Sequence, residues 1–179
     1  MAKSALEKAR EAPGSTKGRI LAAAEEVFAA RGAAVSTEEV AAAAGVAIGT
    51  VFRHFPTKQD LLGAILKDLL AELSERAEDD DLFAFFTRVV TVAAEKKFVV
   101  ELLAGHGVEV GVAGPVQALS SAVGALLTKA QDAGTVRADV RLDEVLALLT
   151  AAGQGALHGG WPADLRERTL EVIFAGLRR

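Results

Sequence analysis

Apolar residues recur along most of this chain at spacings of three and four, the period of an amphipathic helix, and strand-like alternation is absent. Ile20, Leu21, Ala24, Val27 and Phe28 form one such face, closed by Arg31-Gly32. A long stripe follows at Leu61, Leu62, Ile65, Leu66, Leu69, Leu70 and Leu73, running to about Glu78. Further helices are predicted from Leu82 to about Glu95, over a short stretch Phe98–Leu103, from Val116 to Ala133, from Leu142 to about His158 and from Asp164 to Leu177. Counting the two short helices described next, the pattern predicts about nine helices and an all-α fold.

Local stop and start signals sharpen the segment from Ser36 to Thr57, STEEVAAAAGVAIGTVFRHFPT. Ser36 and Glu39 make the S-x-x-E capping box that opens a helix. Gly45 supplies a backbone able to turn sharply without a Cβ penalty. Val46 through Phe55 reads as a second helix, ended by Pro56. Two short helices around a tight turn make a helix-turn-helix, which places its second helix in the DNA major groove. Thr57 caps the next helix with Asp60 in its first turn, and the acidic run 78–81 breaks that helix and caps the following one.

The run from Val35 through Leu62 resembles the DNA-binding domain of the tetracycline-repressor (TetR) family of bacterial regulators. The resemblance rests on Thr37, Ala44-Gly45-Val46, Gly49-Thr50, Phe52, His54-Phe55, Lys58 and Leu61-Leu62, and extends upstream to Ile20, Phe28 and Gly32. It implies a three-helix DNA-binding head with a helix-turn-helix, followed by a helical ligand-binding and dimerisation body. The corresponding domain boundaries are an arm over 1–15, the head over 16–60 and the body over 61–179.

On helical spacing Val51 and Phe55 fall together above Val46 as the buried side of the recognition helix, while Ile48, Gly49, Phe52 and Arg53 fall on the other. Arg53 can donate to guanine O6 and N7 or grip a phosphate, and Ile48 can meet a thymine methyl. Thr37, His54 and Lys58 are placed for phosphates, and Ala47 and Thr50 complete the candidate interface. Each has an ordinary alternative: Phe52 as core, His54 as a structural histidine, Arg53 as a solvated helix residue. Two positions depart from the family pattern. Phe52 replaces a tyrosine whose hydroxyl touches the DNA backbone, and Ala47 replaces a serine that caps the recognition helix.

The last two helices are apolar over much of their circumference, and such helices bury more than one face. The resemblance implies that they pair with their twins in a homodimer through Leu146, Leu149, Gly153, Leu170, Ile173, Phe174 and Leu177. Gly153, Gly155 and Gly159 would then permit close helix approach, or else mark a fraying helix end. Two recognition helices would sit about one DNA turn, roughly 34–36 Å, apart on a palindromic operator. The resemblance also implies an effector pocket among the middle helices, near Leu66, Phe85, Phe86, Val89, Phe98, Leu102, His106 and Leu119. These residues suit a small apolar or aromatic molecule, and the alternative for each is a filled core. Trp161 is expected to pack at the corner between the last two helices.

Composition narrows the remaining classes. Half of the 179 residues are hydrophobic, there is no cysteine, and the net charge is −4. Residues 1–60 hold 8 Lys and Arg against 7 Asp and Glu. Modest phosphate contact, through Lys17, Arg19, Arg53 and Lys58 among others, is therefore expected. The polar N-terminus lacks an apolar signal region and no stretch is long enough to span a bilayer, so a cytoplasmic location is expected. The three histidines lack metal-ligand spacing, and the glycine-dense 105–115 segment lacks the phosphate-loop pattern. No metal, cofactor or enzymatic role is expected. The reading is a DNA-binding, ligand-responsive repressor; the alternative is a helical small-molecule binding protein with weak or lost DNA binding.

Overall fold

The computed structural model describes residues 14–32, 34–95 and 113–179. Among these residues it contains eight helices and no strand: α1 Thr16–Arg31, α2 Thr37–Ala44, α3 Ile48–His54, α4 Lys58–Arg76, α5 Leu82–Glu95, α6 Ala113–Asp132, α7 Leu142–His158 and α8 Ala163–Leu177. The helix expected at Phe98–Leu103 and the arm up to residue 13 lie outside the described residues. The described residues divide into two units, one comprising those up to Ala71 with residues 113–115, the other 72–95 with 116–179.

In the first unit, helix boundaries follow local chemistry. The Ser15 hydroxyl accepts from the Gly18 N–H at 2.9 Å and starts α1. Gly32, at φ +74°, ends it by donating to the Phe28 carbonyl at 2.8 Å. Around α2, the Ser36 N–H donates to Glu39 at 2.9 Å and the Glu39 N–H donates back to the Ser36 hydroxyl at 3.3 Å. Gly45 is left-handed at φ +63°, and the Gly45 and Val46 N–H groups reach back to the Ala42 and Ala41 carbonyls. This is a Schellman ending. α3 begins at Ile48 rather than at Val46, because Ala47 has the extended backbone of an N-cap, φ −67° and ψ 144°. The three helices α1, α2 and α3 pack on one another. Ile20, Ala24, Phe28, Val40 and Val51 are fully buried there. Full burial of a side chain the size of Phe28 contributes roughly 1.5–3 kcal/mol.

α4 opens with the Thr57–Asp60 pair. The Thr57 N–H donates to the Asp60 carboxylate at 3.0 Å, and the Asp60 N–H donates to the Thr57 hydroxyl at 3.1 Å. The helix ends at Arg76, two residues earlier than the apolar stripe suggested.

In the second unit α5 packs on α7, and α7 on α8. Phe85, Phe86, Val90, Val123, Val145 and Leu170 are among its most buried residues. Asp81 starts α5 by accepting from the Phe83 and Ala84 N–H groups, each at 2.8 Å. The acidic run also carries an ion pair. Asp80, its side chain 12% exposed, takes a two-point contact from Arg88 at 2.8 and 3.0 Å. The hydrogen bond from Arg88 holds the Asp80 carboxyl below its ordinary pKa; burial opposes, and the charges of Arg88 and Arg76 add to the lowering.

The turn between α6 and α7 is held by Gln131, whose amide donates to the Arg137 and Val140 carbonyls at 3.1 and 2.9 Å. The chain end pairs with this turn through an isolated bridge, Val136 to Arg178, and the Arg178 guanidinium lies 4.9 Å over the Phe83 ring.

Candidate nucleic-acid interface

The recognition helix presents two distinct sides because Val51 and, four residues on, the C-cap Phe55 turn into the core at helical spacing. Val51 and Phe55 are 0% and 3% exposed. Gly49, Arg53 and His54 are exposed and Phe52 is 44% exposed, while Ile48 and Thr50 are half-buried. Val46, expected beneath the buried side, is half-buried in the turn. A Cβ built on Gly49 would meet no atom within 4 Å, so this point of the helix stands clear of its own module. Arg53 has no ion-pair partner among the described residues, and its charge is available to an incoming polyanion.

Ala47 occupies the N-cap of α3 with extended backbone, φ −67° and ψ 144°, and gives no side-chain cap. The Thr50 N–H donates to the Ala47 carbonyl at 2.8 Å instead. Thr37 is the first residue of α2 and is half-buried. Lys58 is also half-buried, and its ammonium lies 5.7 Å from the centre of the Phe28 ring. It is thereby drawn toward the head's own aromatic core.

Arg19, expected to be available for phosphates, is engaged within the head, and so is Arg31 at the end of α1. Arg19 Nη2 donates to the Ala44 carbonyl at 2.8 Å, and Arg31 pairs with Glu39. The Glu39 carboxyl sits below its ordinary pKa because it accepts from the Ser36 backbone N–H and then the Ser36 hydroxyl, with burial opposing and Arg31 adding a smaller lowering. These links join residues up to 25 positions apart, and no local motif announces them.

Five of the residues expected to line an effector pocket lie among the described residues. Phe85 and Phe86 are each 1% exposed and belong to the packed core, with Phe86 edge-on to Phe174 at 5.5 Å. Val89 and Leu119 are half-buried against that core. Leu66, in the first unit, is 3% exposed. Phe98, Leu102 and His106 lie outside the described residues. An open cleft of about 340 Å³ lies elsewhere, between α5 and α8, where Thr87, Thr91, Arg166 and Glu167 surround Leu170 and Phe174.

Of the residues expected at a dimer interface, Leu149, Leu170, Phe174 and Leu177 are buried within the protomer. Leu146 and Ile173 are half-buried at the edge of the same core. Gly153 faces Ala93 of α5, whose Cβ a Gly153 side chain would approach at 3.6 Å. Gly155 and Gly159 make room for the Trp161 indole. The outward side of α8 instead carries Val172, 74% exposed, and Leu165, 45% exposed. Among the described residues no group of three or more His, Cys, Asp or Glu side chains could hold a metal ion, and no helix is long and apolar enough to cross a membrane.

A helix-turn-helix head with an exposed recognition face, joined to a helical body, defines a DNA-binding transcriptional regulator. Residues 20–65 match the family described as bacterial regulatory proteins, tetR family, and residues 78–179 match the C-terminal domain described as transcriptional regulator SbtR-like. The chain belongs to the TetR family of transcriptional regulators. It is 36% identical to a TetR transcription regulatory protein from Mycobacterium vanbaalenii, with 92% of this chain and 95% of that one covered and a TM-score of 0.71. It is 29% identical to a TetR transcriptional regulator from Streptomyces coelicolor, covering 90% and 98% respectively at a TM-score of 0.69. No match was found among curated proteins.

Proposed function

We propose that this chain is a homodimeric, effector-responsive repressor that binds a palindromic operator in the cytoplasm with α3 in the major groove. The observation that carries the reading is the division of α3: Val51 and Phe55 anchor it in the core, and Gly49, Phe52 and Arg53 stand in solvent. Such a helix can enter a groove without unfolding its module. Thr37, Ala47, Ile48, Thr50, His54 and Lys58 complete the proposed contact surface. Val172 and Leu165 support a symmetric partner, because an exposed apolar stripe on a terminal helix favours burial against its twin.

The effector belongs to the same reading. An apolar or aromatic molecule bound in the body releases the operator only by binding the released conformation more tightly than the DNA-bound one. The near-complete burial of Phe85 and Phe86 supports a packing role for those two, and the half-buried Val89 and Leu119 are the lining residues we propose in the second unit.

The test is a titration at moderate salt against a duplex selected from a randomised pool by the unaltered chain. Arg53→Ala is expected to weaken binding by roughly 5–150-fold, the loss of a bidentate base contact worth about 1–3 kcal/mol, while the dimer persists in sedimentation. Equal binding by the variant would contradict the proposed placement of α3.

A further inference from the structure

We infer that Arg19 is a positioning residue of the DNA-reading head, holding the turn of the helix-turn-helix from α1 rather than contacting phosphate. This rests on the reading of α3 as the recognition helix. The Schellman ending of α2 uses the Ala41 and Ala42 carbonyls, which accept from Val46 and Gly45. The Ala44 carbonyl lies at the junction of helix and turn, where the ladder has run out. Arg19 Nη2 donates to it at 2.8 Å. The guanidinium therefore sits at the negative end of the α2 dipole, where a cation is stabilised.

The geometry around this bond is close but unstrained. A Cβ on Gly45 would lie 3.6 Å from Arg19 Nη2, an ordinary contact, so the guanidinium packs directly over the left-handed residue at the turn. Ala44 is followed after three residues by Ile48, the first residue of α3. Fixing the Ala44 carbonyl against α1 thus limits how α3 can pivot about the turn. A planar donor with a long apolar stem suits the task, since it can lie along α1 and still present an N–H at the far end.

The alternatives differ in what they move. A phosphate contact contributes counterion release, so its loss lowers the slope of log K against log salt by about 0.9. A merely structural residue lowers thermal stability but leaves DNA binding intact well below the melting temperature. A positioning residue lowers sequence-specific affinity and leaves the salt slope and the affinity for arbitrary duplex unchanged.

The experiment compares the unaltered chain with Arg19→Met and Arg19→Lys. Each full-length protein is titrated at several salt concentrations, well below its melting temperature. The probes are a duplex selected from a randomised pool by the unaltered chain and a scrambled duplex of the same length. For Arg19→Met we expect specific affinity to fall about five- to tenfold, with the specific-to-scrambled ratio falling equally and the slope on the selected duplex unchanged. Arg19→Lys keeps the charge but not the fork, and is expected to recover less than half of that loss on a logarithmic scale. A slope reduced by about one unit, full recovery by lysine, or unchanged specific affinity would each overturn the inference. If the unaltered chain enriches no duplex, the reading of α3 as a sequence reader fails first and takes this inference with it.

Discussion

Trp161 lies so close over Gly155 that the helix has no room for a side chain there: a Cβ at Gly155 would come within 2.5 Å of the indole ring. Gly159 is similarly covered, its Cβ position falling 2.6 Å from the indole nitrogen. The glycines at the end of α7 thus serve a contact inside the protomer. Gly155→Ala forces the ring to move and is expected to cost about 1–3 kcal/mol, as overpacking does. At roughly 2–4 °C per kcal/mol for a chain of this size, a thermal melt should show it. Adding Trp161→Ala to that variant should make the alanine at 155 nearly harmless, a coupling that a double-mutant cycle measures. Equal costs with and without the indole would refute the contact.

The uncapped start of α3 offers a gain rather than a loss. Ala47 already has the extended backbone of an N-cap, φ −67° and ψ 144°, and lacks only an acceptor. Ala47→Ser is expected to stabilise the head by about 0.5–2 kcal/mol, seen as slower amide exchange in α3. Unchanged exchange there would show that serine finds no N–H to accept from.

Phe52 is 44% exposed, so a hydroxyl added at its tip enters solvent without disturbing the core. Phe52→Tyr restores the group with which the family touches the DNA backbone. One net hydrogen bond of about 0.5–1.5 kcal/mol corresponds to operator binding tighter by roughly two- to tenfold, measured by fluorescence anisotropy. No gain in affinity would place the ring tip away from the duplex.

Acid should weaken both units through carboxylates whose pKa folding lowers. Ser36 lowers that of Glu39, and Arg88 that of Asp80. A lowered folded-state pKa means that the stabilisation is fully present above the ordinary carboxylate value, near 4, and is lost as pH falls through the folded value. Glu39→Gln and Asp80→Asn should therefore melt below the unaltered chain at pH 7, and each gap should close as pH falls below the ordinary carboxylate range. Gaps that persist undiminished into acid would assign the losses to packing instead of charge.

Val172 is 74% exposed on the outward side of α8. Val172→Glu places a charge where a twin helix would bury it, at a cost of several kcal/mol if the contact forms. Sedimentation is expected to show a dimer for the unaltered chain and monomers for the variant, with the helical content of both alike. A variant that sediments as the unaltered chain does would move the interface elsewhere.

Much of the fold is legible in the sequence because helix ends are decided within a few residues. Ser36 with Glu39, Thr57 with Asp60, and Gly32 and Gly45 at helix ends each act on backbone groups three to five positions away. The two sides of α3 are legible for the same reason: Val51 and Phe55 lie four apart on a helix whose other side must face outward. The sequence by itself therefore determined an all-α chain, the helix-turn-helix and the residues that face away from its core. Only the tertiary structure decided which partners distant side chains take. It turned Arg19 to the Ala44 carbonyl, placed Lys58 over Phe28, and laid Trp161 across Gly155. It also folded Leu170, Phe174 and Leu177 into the protomer's own core, leaving Val172 outside. An apolar stripe states that a face must be buried, but hydrophobic burial is non-directional, and only packing in three dimensions selects the surface that covers it.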